Sequence, residues 1–197
     1  MKITGKKFIN LIKKDPSWCL NIKEPIEVTT FTDLANSPIT HLSPLLTFSG
    51  ENESGWVADF SDCKNLKVAT GTFNGFVYFG YTGIEKIENL TVKEVDIEGD
   101  SASFWGCSNL KVATGNYTGM VNFQGTGVTT IKDLIIKNTE IMGNKASFFK
   151  CPIKYIPKEY RGEEFLFEVG LKKKSKLQDI RKDTIKKIKS ETNNIII

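Results

Sequence analysis

Residues 58–68 read A-D-F-S-D-C-K-N-L-K-V, residues 102–112 read A-S-F-W-G-C-S-N-L-K-V, and residues 146–156 read A-S-F-F-K-C-P-I-K-Y-I. The three stretches are 44 residues apart, so Phe60, Phe104 and Phe148 share one slot and Cys63, Cys107 and Cys151 another. Cys19 stands one further period upstream, in a worn copy where Asp15, Ser17, Asn21, Ile22 and Lys23 match Asp59, Ser61, Asn65, Leu66 and Lys67. All four cysteines therefore occupy one position of one repeat. Self-similarity at a fixed period is the signature of a stacked-repeat architecture, in which no single unit can hide its own apolar face.

A second half-repeat lies between these copies. Residues 77–87, V-Y-F-G-Y-T-G-I-E-K-I, and 121–131, V-N-F-Q-G-T-G-V-T-T-I, are again 44 apart, with an earlier version at 32–42 and a truncated one from Phe165. Phenylalanines at 60, 79, 104, 123, 148 and 167 are thus spaced alternately by 19 and 25 residues. In a short strand alternate side chains point the same way, so Val77 with Phe79, and Ala102 with Phe104, bury together against their equivalents in the next turn. The Cys or Thr slot that follows begins a bend, and the aliphatics after it, such as Leu66 or Ile84, close the core. The expectation is a mainly β solenoid with a parallel β ladder, about eight short turns over residues 15–170.

The outline resembles leucine-rich repeats, with an asparagine-type half at Thr82 and Thr126 and a cysteine-type half at Cys63, Cys107 and Cys151. F-S-D-C-K-N-L and F-W-G-C-S-N-L resemble in particular the F-x-x-C-x-x-L core of BspA-like bacterial repeats, and more loosely uncharacterised bacterial and prophage-borne solenoid proteins. The resemblance implies a right-handed solenoid and recognition of another protein rather than catalysis. Phenylalanine replaces most strand leucines, and Leu90-Thr91-Val92 and Leu134-Ile135-Ile136 read as β-like or irregular, so a plain parallel β-helix is the alternative architecture.

Both ends of a stack need covering. Thr4 is placed to cap a helix over residues 5–14 with Phe8, Leu11 and Ile12 on one face and Pro16 past its end. Residues 171–197 form a basic helix and tail: Ser175 and Gln178 make a capping-box signature, and Leu177, Ile180, Thr184 and Ile188 share a face. Charge follows this division. Residues 1–14 carry +5 and 171–197 carry +6, whereas 15–170 carry −7, within a net +4. The basic ends lack interleaved aromatics, so nucleic acid is disfavoured as a partner; an anionic polymer or a membrane surface is the alternative reading for them.

Catalytic and metal chemistry finds little support. Successive cysteines two turns apart stand about 10 Å from one another, too far for a disulfide or a compact zinc site, and read as buried core thiols of a reducing, cytoplasmic compartment. His41 has no triad or metal partner in the pattern. Asp33, Asp59 and Asp62 could gather at one end of the sheet, yet no Asp-x-Asp ligand spacing accompanies them. No cofactor or metal is expected, and no segment is long and apolar enough to span a membrane. What remains is the outward face of the ladder, in two rows. One holds Asp33, Asp59, Tyr78, Ser103, Asn122, Ser147 and Leu166; the other holds Ala35, Ser61, Gly80, Trp105, Gln124, Phe149 and Glu168. Tyr78, Trp105 and Phe149 are the candidate anchors for a protein partner, with Asp59, Asn122 and Gln124 setting register.

Overall fold

The computed structural model of the chain describes residues 1–137, 146–157 and 160. It begins with β1 (Lys2–Ile3), α1 (Gly5–Lys14) and a 3-10 turn at Trp18–Asn21. Short strands follow: β2 (Ile26–Val28), β3 (Thr32–Asp33), β4 (Leu46–Phe48), β5 (Trp56–Asp59), β6 (Val68–Phe73) and β7 (Phe76–Tyr78). The same rhythm continues through β8 (Lys86–Val92), β9 (Asp100–Ser103), β10 (Val112–Tyr117), β11 (Met120–Asn122), β12 (Thr130–Ile136) and β13 (Ala146–Ser147). The protein is mainly β. Its strands form two sheets, one in the order β1-β2-β4-β6-β8-β10-β12 and the other β3-β5-β7-β9-β11-β13, so from β2 onward the chain visits them alternately. Every strand pair is parallel.

The six-stranded sheet carries the repeat read from the sequence. Ala58 pairs with Val77, Val77 with Ala102, Ala102 with Val121 and Val121 with Ala146, all fully or almost fully buried. Two residues later Phe60, Phe79, Phe104, Phe123 and Phe148 stack face to face, with ring centroids 5.2, 5.2, 5.3 and 5.3 Å apart and planes within 14° of parallel. Those separations follow from the strand spacing of about 4.8 Å, which brings identical side chains into van der Waals contact.

The seven-stranded sheet supplies the facing wall. Its inward column runs Val28, Phe48, Phe73, Val92, Tyr117 and Ile136, matched in register and buried. Phe73 meets the first column edge to face, 6.3 Å from Phe60 and 5.8 Å from Phe79. Tyr117, fully enclosed, donates its hydroxyl to the Thr114 carbonyl at 2.9 Å, which is what makes a buried phenol tolerable. Leu90–Val92 and Leu134–Ile136, β-like in sequence, are strand residues here. β8 and β12 each hold one extra residue against their partner, with Asn89 and Asp133 at positive φ in the bulge.

The amino-terminal helix forms as its pattern requires. Thr4 Oγ1 accepts from the Lys7 amide at 3.2 Å, and Phe8 and Ile12 are buried. Phe8 packs edge to face on Phe48 at 5.4 Å and on Trp18 at 5.9 Å, so α1 covers the first turn of the core. The worn copy at 15–23 keeps the turn but not the strand. Asp15 Oδ1 accepts from the Ser17 amide as Asp59 Oδ1 does from Ser61, while Cys19 lies in the 3-10 turn. The basic carboxy-terminal helix expected at 171–197, together with Leu166 and Glu168, lies outside the described residues.

Candidate functional site

Backbone geometry places the two outward rows side by side on the six-stranded sheet. Register sets Asp33 beside Asp59, Asp59 beside Tyr78, Tyr78 beside Ser103, Ser103 beside Asn122 and Asn122 beside Ser147. One turn further on, amide-to-carbonyl bonds link each bend to the next. The Tyr81 amide donates to Trp105 O at 2.7 Å, the Gly106 amide to Gln124 O at 2.9 Å, and the Gly125 amide to Phe149 O at 2.8 Å. Trp105, Gln124 and Phe149 are therefore neighbours in one column, and Asp59, Tyr78 and Asn122 belong to the column beside it.

Most of the first column is occupied with holding its own turn. Asp33 Oδ1 accepts from the Ala35 amide, Asp59 Oδ1 from Ser61 and Asn122 Oδ1 from Gln124, at 3.0, 2.7 and 2.8 Å. Short side chains with an oxygen two residues before an amide close an Asx turn, and that is the reason Asp, Asn and Ser recur at this slot. Ser103, read as outward, is buried. Tyr78 is half-buried: it stacks on Trp56 at 5.9 Å and Phe76 at 6.4 Å, and its ring lies where a Cβ on Gly80 would sit, 2.5 Å away. Burial above all, then Tyr81 and Asp59, pushes its phenol pKa up.

The second column is more open, and its main feature was not legible as a site. Tyr81 and Trp105 are 43% and 41% exposed, with ring centroids 5.4 Å apart at 44°. Tyr81 belongs to a bend position held at positive φ in every turn: Asn36 59°, Asp62 57°, Tyr81 57°, Gly106 72°, Gly125 67° and Lys150 59°. Glycine, Asn and Asp tolerate that conformation, whereas a tyrosine there costs on the order of 1 kcal/mol. Lys64 holds the strained residue, donating to Tyr81 O at 2.6 Å and to Asp62 at 2.7 Å, with its ammonium 5.8 Å from the Tyr81 ring centre. Gly106 leaves room for it, since a Cβ there would meet the Tyr81 ring at 2.5 Å. The signal in the sequence is a tyrosine at a slot that otherwise takes Gly, Asn, Asp or Lys. Phe149, half-buried, has Lys150 Nζ 5.3 Å from its ring centre.

Inside the sheet, thiols and hydroxyls share one column. Cys63 donates to Leu34 O at 3.1 Å, Cys107 to Phe79 O at 3.0 Å and Cys151 to Phe123 O at 2.9 Å. Thr82 and Thr126 alternate with them, 3.1 Å from Cys107 and 3.2 Å from Cys151. All four thiols are free. Burial pushes Cys19 and Cys63 up to about 12 and raises Cys107 and Cys151 as well, against the pull of the Thr82 and Thr126 bonds. His41 is partly covered, with Nδ1 2.9 Å from Thr40 Oγ1, and Asp62 is paired to Lys64, so the acidic residues at this end serve turns and a local ion pair. Among the described residues no group of three His, Cys, Asp or Glu is arranged to hold a metal, and no helix is long and apolar enough to cross a membrane.

By fold and surface this is a mainly-β protein of two all-parallel sheets, with two exposed aromatic residues, Tyr81 and Trp105, paired on the bends of one of them. No family model, curated protein or solved structure matches the chain.

Proposed function

We propose that the chain is a solenoid and a non-enzymatic module that binds another protein through the outer face of its six-stranded sheet. Alternation of every strand from β2 onward between two sheets supports the plain parallel β-helix over the leucine-rich-repeat form, which has a single ladder. The observation that carries the binding reading is Tyr81. A bulky residue is kept in a strained bend conformation whose counterparts are mostly Gly, Asn or Asp, and the result is an exposed aromatic pair with Trp105. Strain maintained at the surface, with no core reason for it, points to use of that surface. Gln124 and Phe149 extend the same column, while Asp59, Tyr78 and Asn122 form its rigid border. The four free thiols support a reducing, cytoplasmic setting.

Wild-type protein, Tyr81→Gly, and Trp105→Ala with Phe149→Ala should be immobilised and exposed to extract of the source cells. The reading requires one discrete protein retained by the wild type and lost from both variants, with Tyr81→Gly melting no lower than wild type because glycine relieves the bend. Equal retention by all three proteins overturns it.

A second reading has one observation behind it. Lys6, Lys7 and Lys14 of α1 line a shallow hollow with Thr4, Asn10 and Leu11, which suits an anionic surface. Residues 171–197, the other basic segment, lie outside the described residues. Loss of heparin retention on Lys6→Gln with Lys7→Gln and Lys14→Gln is the outcome that favours this reading.

A further inference from the structure

The other sheet presents a polar face that the protein-binding reading does not use. Thr47, Thr72, Thr91, Asn116 and Ile135 are successive partners in register, one per strand from β4 to β12. They alternate along each strand with the buried column of Phe48, Phe73, Val92, Tyr117 and Ile136, so they face outward. Two residues beyond them Lys93, Thr118 and Lys137 follow β8, β10 and β12. The Lys93 amide donates to Phe73 O at 2.8 Å and the Lys137 amide to Tyr117 O at 3.0 Å, while Thr118 Oγ1 bonds Lys93 O at 2.7 Å and Val92 O at 3.2 Å. Between these residues runs a groove of about 330 Å³ lined by Thr91, Asn116 and Tyr117 as well as the two lysines and Thr118.

Lys93 and Lys137, like most lysines among the described residues, make no ion pair with a carboxylate; what marks their surroundings is the absence of acid from the two rows they belong to. From β4 to β12 the outward residues at these two positions are Thr47, Ser49, Thr72, Asn74, Thr91, Lys93, Asn116, Thr118, Ile135 and Lys137, without one acid. The two ammonium-bearing residues are two strands apart, about 10 Å along the sheet. Between them stand a hydroxyl and an amide on short side chains.

We infer that this groove binds a linear acidic polysaccharide, one that carries a single carboxylate or sulfate per disaccharide. The lysines would take successive anionic groups, Asn116 on the strand between them a sugar hydroxyl, and Thr91 beside Lys93 another. Nucleic acid fits less well. Duplex DNA carries a charge about every 1.7 Å of its axis and is bound through many phosphate contacts. Two lysines about 10 Å apart match a sparser polymer, and the only aromatic residue of the groove, Tyr117, is buried and offers no face for a base.

Hyaluronate and unsulfated chondroitin oligosaccharides, each with one carboxylate per disaccharide, should be titrated into the full chain by calorimetry, with dextran and a DNA duplex of similar length as comparators. The inference expects binding of at least one acidic glycan, none of dextran, and a weakening of about tenfold for each of Lys93→Gln and Lys137→Gln. Lys86→Gln, at an exposed lysine outside the groove, should leave that affinity unchanged. No acidic glycan bound, affinity insensitive to both groove substitutions, or tighter binding of DNA than of every glycan would each overturn it.

Discussion

The hydroxyl of Thr82 and the thiol of Cys107, 25 residues apart in the chain, lie 3.1 Å from one another in the core. Each belongs to the residue directly after a bend, not to its start as the sequence pattern suggests, and Thr126 with Cys151 repeats the pair at 3.2 Å. The cysteine also donates to Phe79 O, so hydroxyl, thiol and carbonyl satisfy one another without water.

Thr82→Val keeps the shape and removes the hydroxyl, leaving the bend near Cys107 one bond short. The expected cost is about 1–2 kcal/mol in urea denaturation, and Cys107→Val in that background should cost less than it does alone. Strict additivity of the two substitutions means that the residues are not coupled.

Phe104 lies between Phe79 and Phe123, 5.2 and 5.3 Å away and nearly parallel to both. Phe104→Ala opens a void in the middle of the ladder and should lose about 3–5 kcal/mol, whereas Phe149→Ala, on the outer face, should lose about 1 kcal/mol or less. Equilibrium denaturation of the two variants separates the inward column from the outward one; equal losses contradict the assignment.

The buried thiols give a pH dependence of definite sign. Cys19 and Cys63 ionise at about 12 in the folded chain, against about 8.5 when unfolded. Between those values the native state holds protons that the unfolded state has released, so stability falls as pH rises from about 9 to 12. A thiolate-directed reagent at pH 8 should leave these two thiols intact in native protein and modify them in guanidinium. Rapid native labelling of Cys63 is the contrary result.

Asp100 behaves in the same sense at lower pH. Burial, then the charges of Asp96 and Glu98, pushes its carboxyl up to about 6. The folded form therefore keeps a proton that the unfolded chain releases near 4, and this contribution to stability declines as pH rises from about 4 through 6. Asp100→Asn should stabilise the protein at pH 7 by about 1 kcal/mol, allowing for solvent screening, and flatten the pH 4–6 portion of its stability curve. An unchanged profile rules out Asp100 as its source.

Much of the fold was legible because one kind of constraint repeats. A stacked strand must offer the same apolar pair to the strands above and below, so Val77 with Phe79 and Ala102 with Phe104 recur at fixed spacing and disclose the six-stranded ladder. The Cys slot recurs because its thiol meets a carbonyl of the neighbouring strand's chain, and the Thr slot because its hydroxyl meets that thiol. The second sheet was visible only as β-like segments, since its bulged strands at Asn89 and Asp133 break simple alternation and its inward column mixes Val, Phe, Tyr and Ile. Of the candidate site, the column of Trp105, Gln124 and Phe149 was legible from the alternation alone.

The chain order of residues determined the period, the phenylalanine column, the thiol column and the amino-terminal cap, all of which depend on spacing along the backbone. Only tertiary structure decided which outward residues are at liberty to meet a partner. Asp59 and Asn122 spend their oxygens on their own turns, Tyr78 lies over Gly80, and Tyr81 comes to rest on Trp105, 24 positions later in sequence. These are contacts within and between adjacent turns that depend on rotamer, bend conformation and the absence of a Cβ, and the repeat pattern does not encode them.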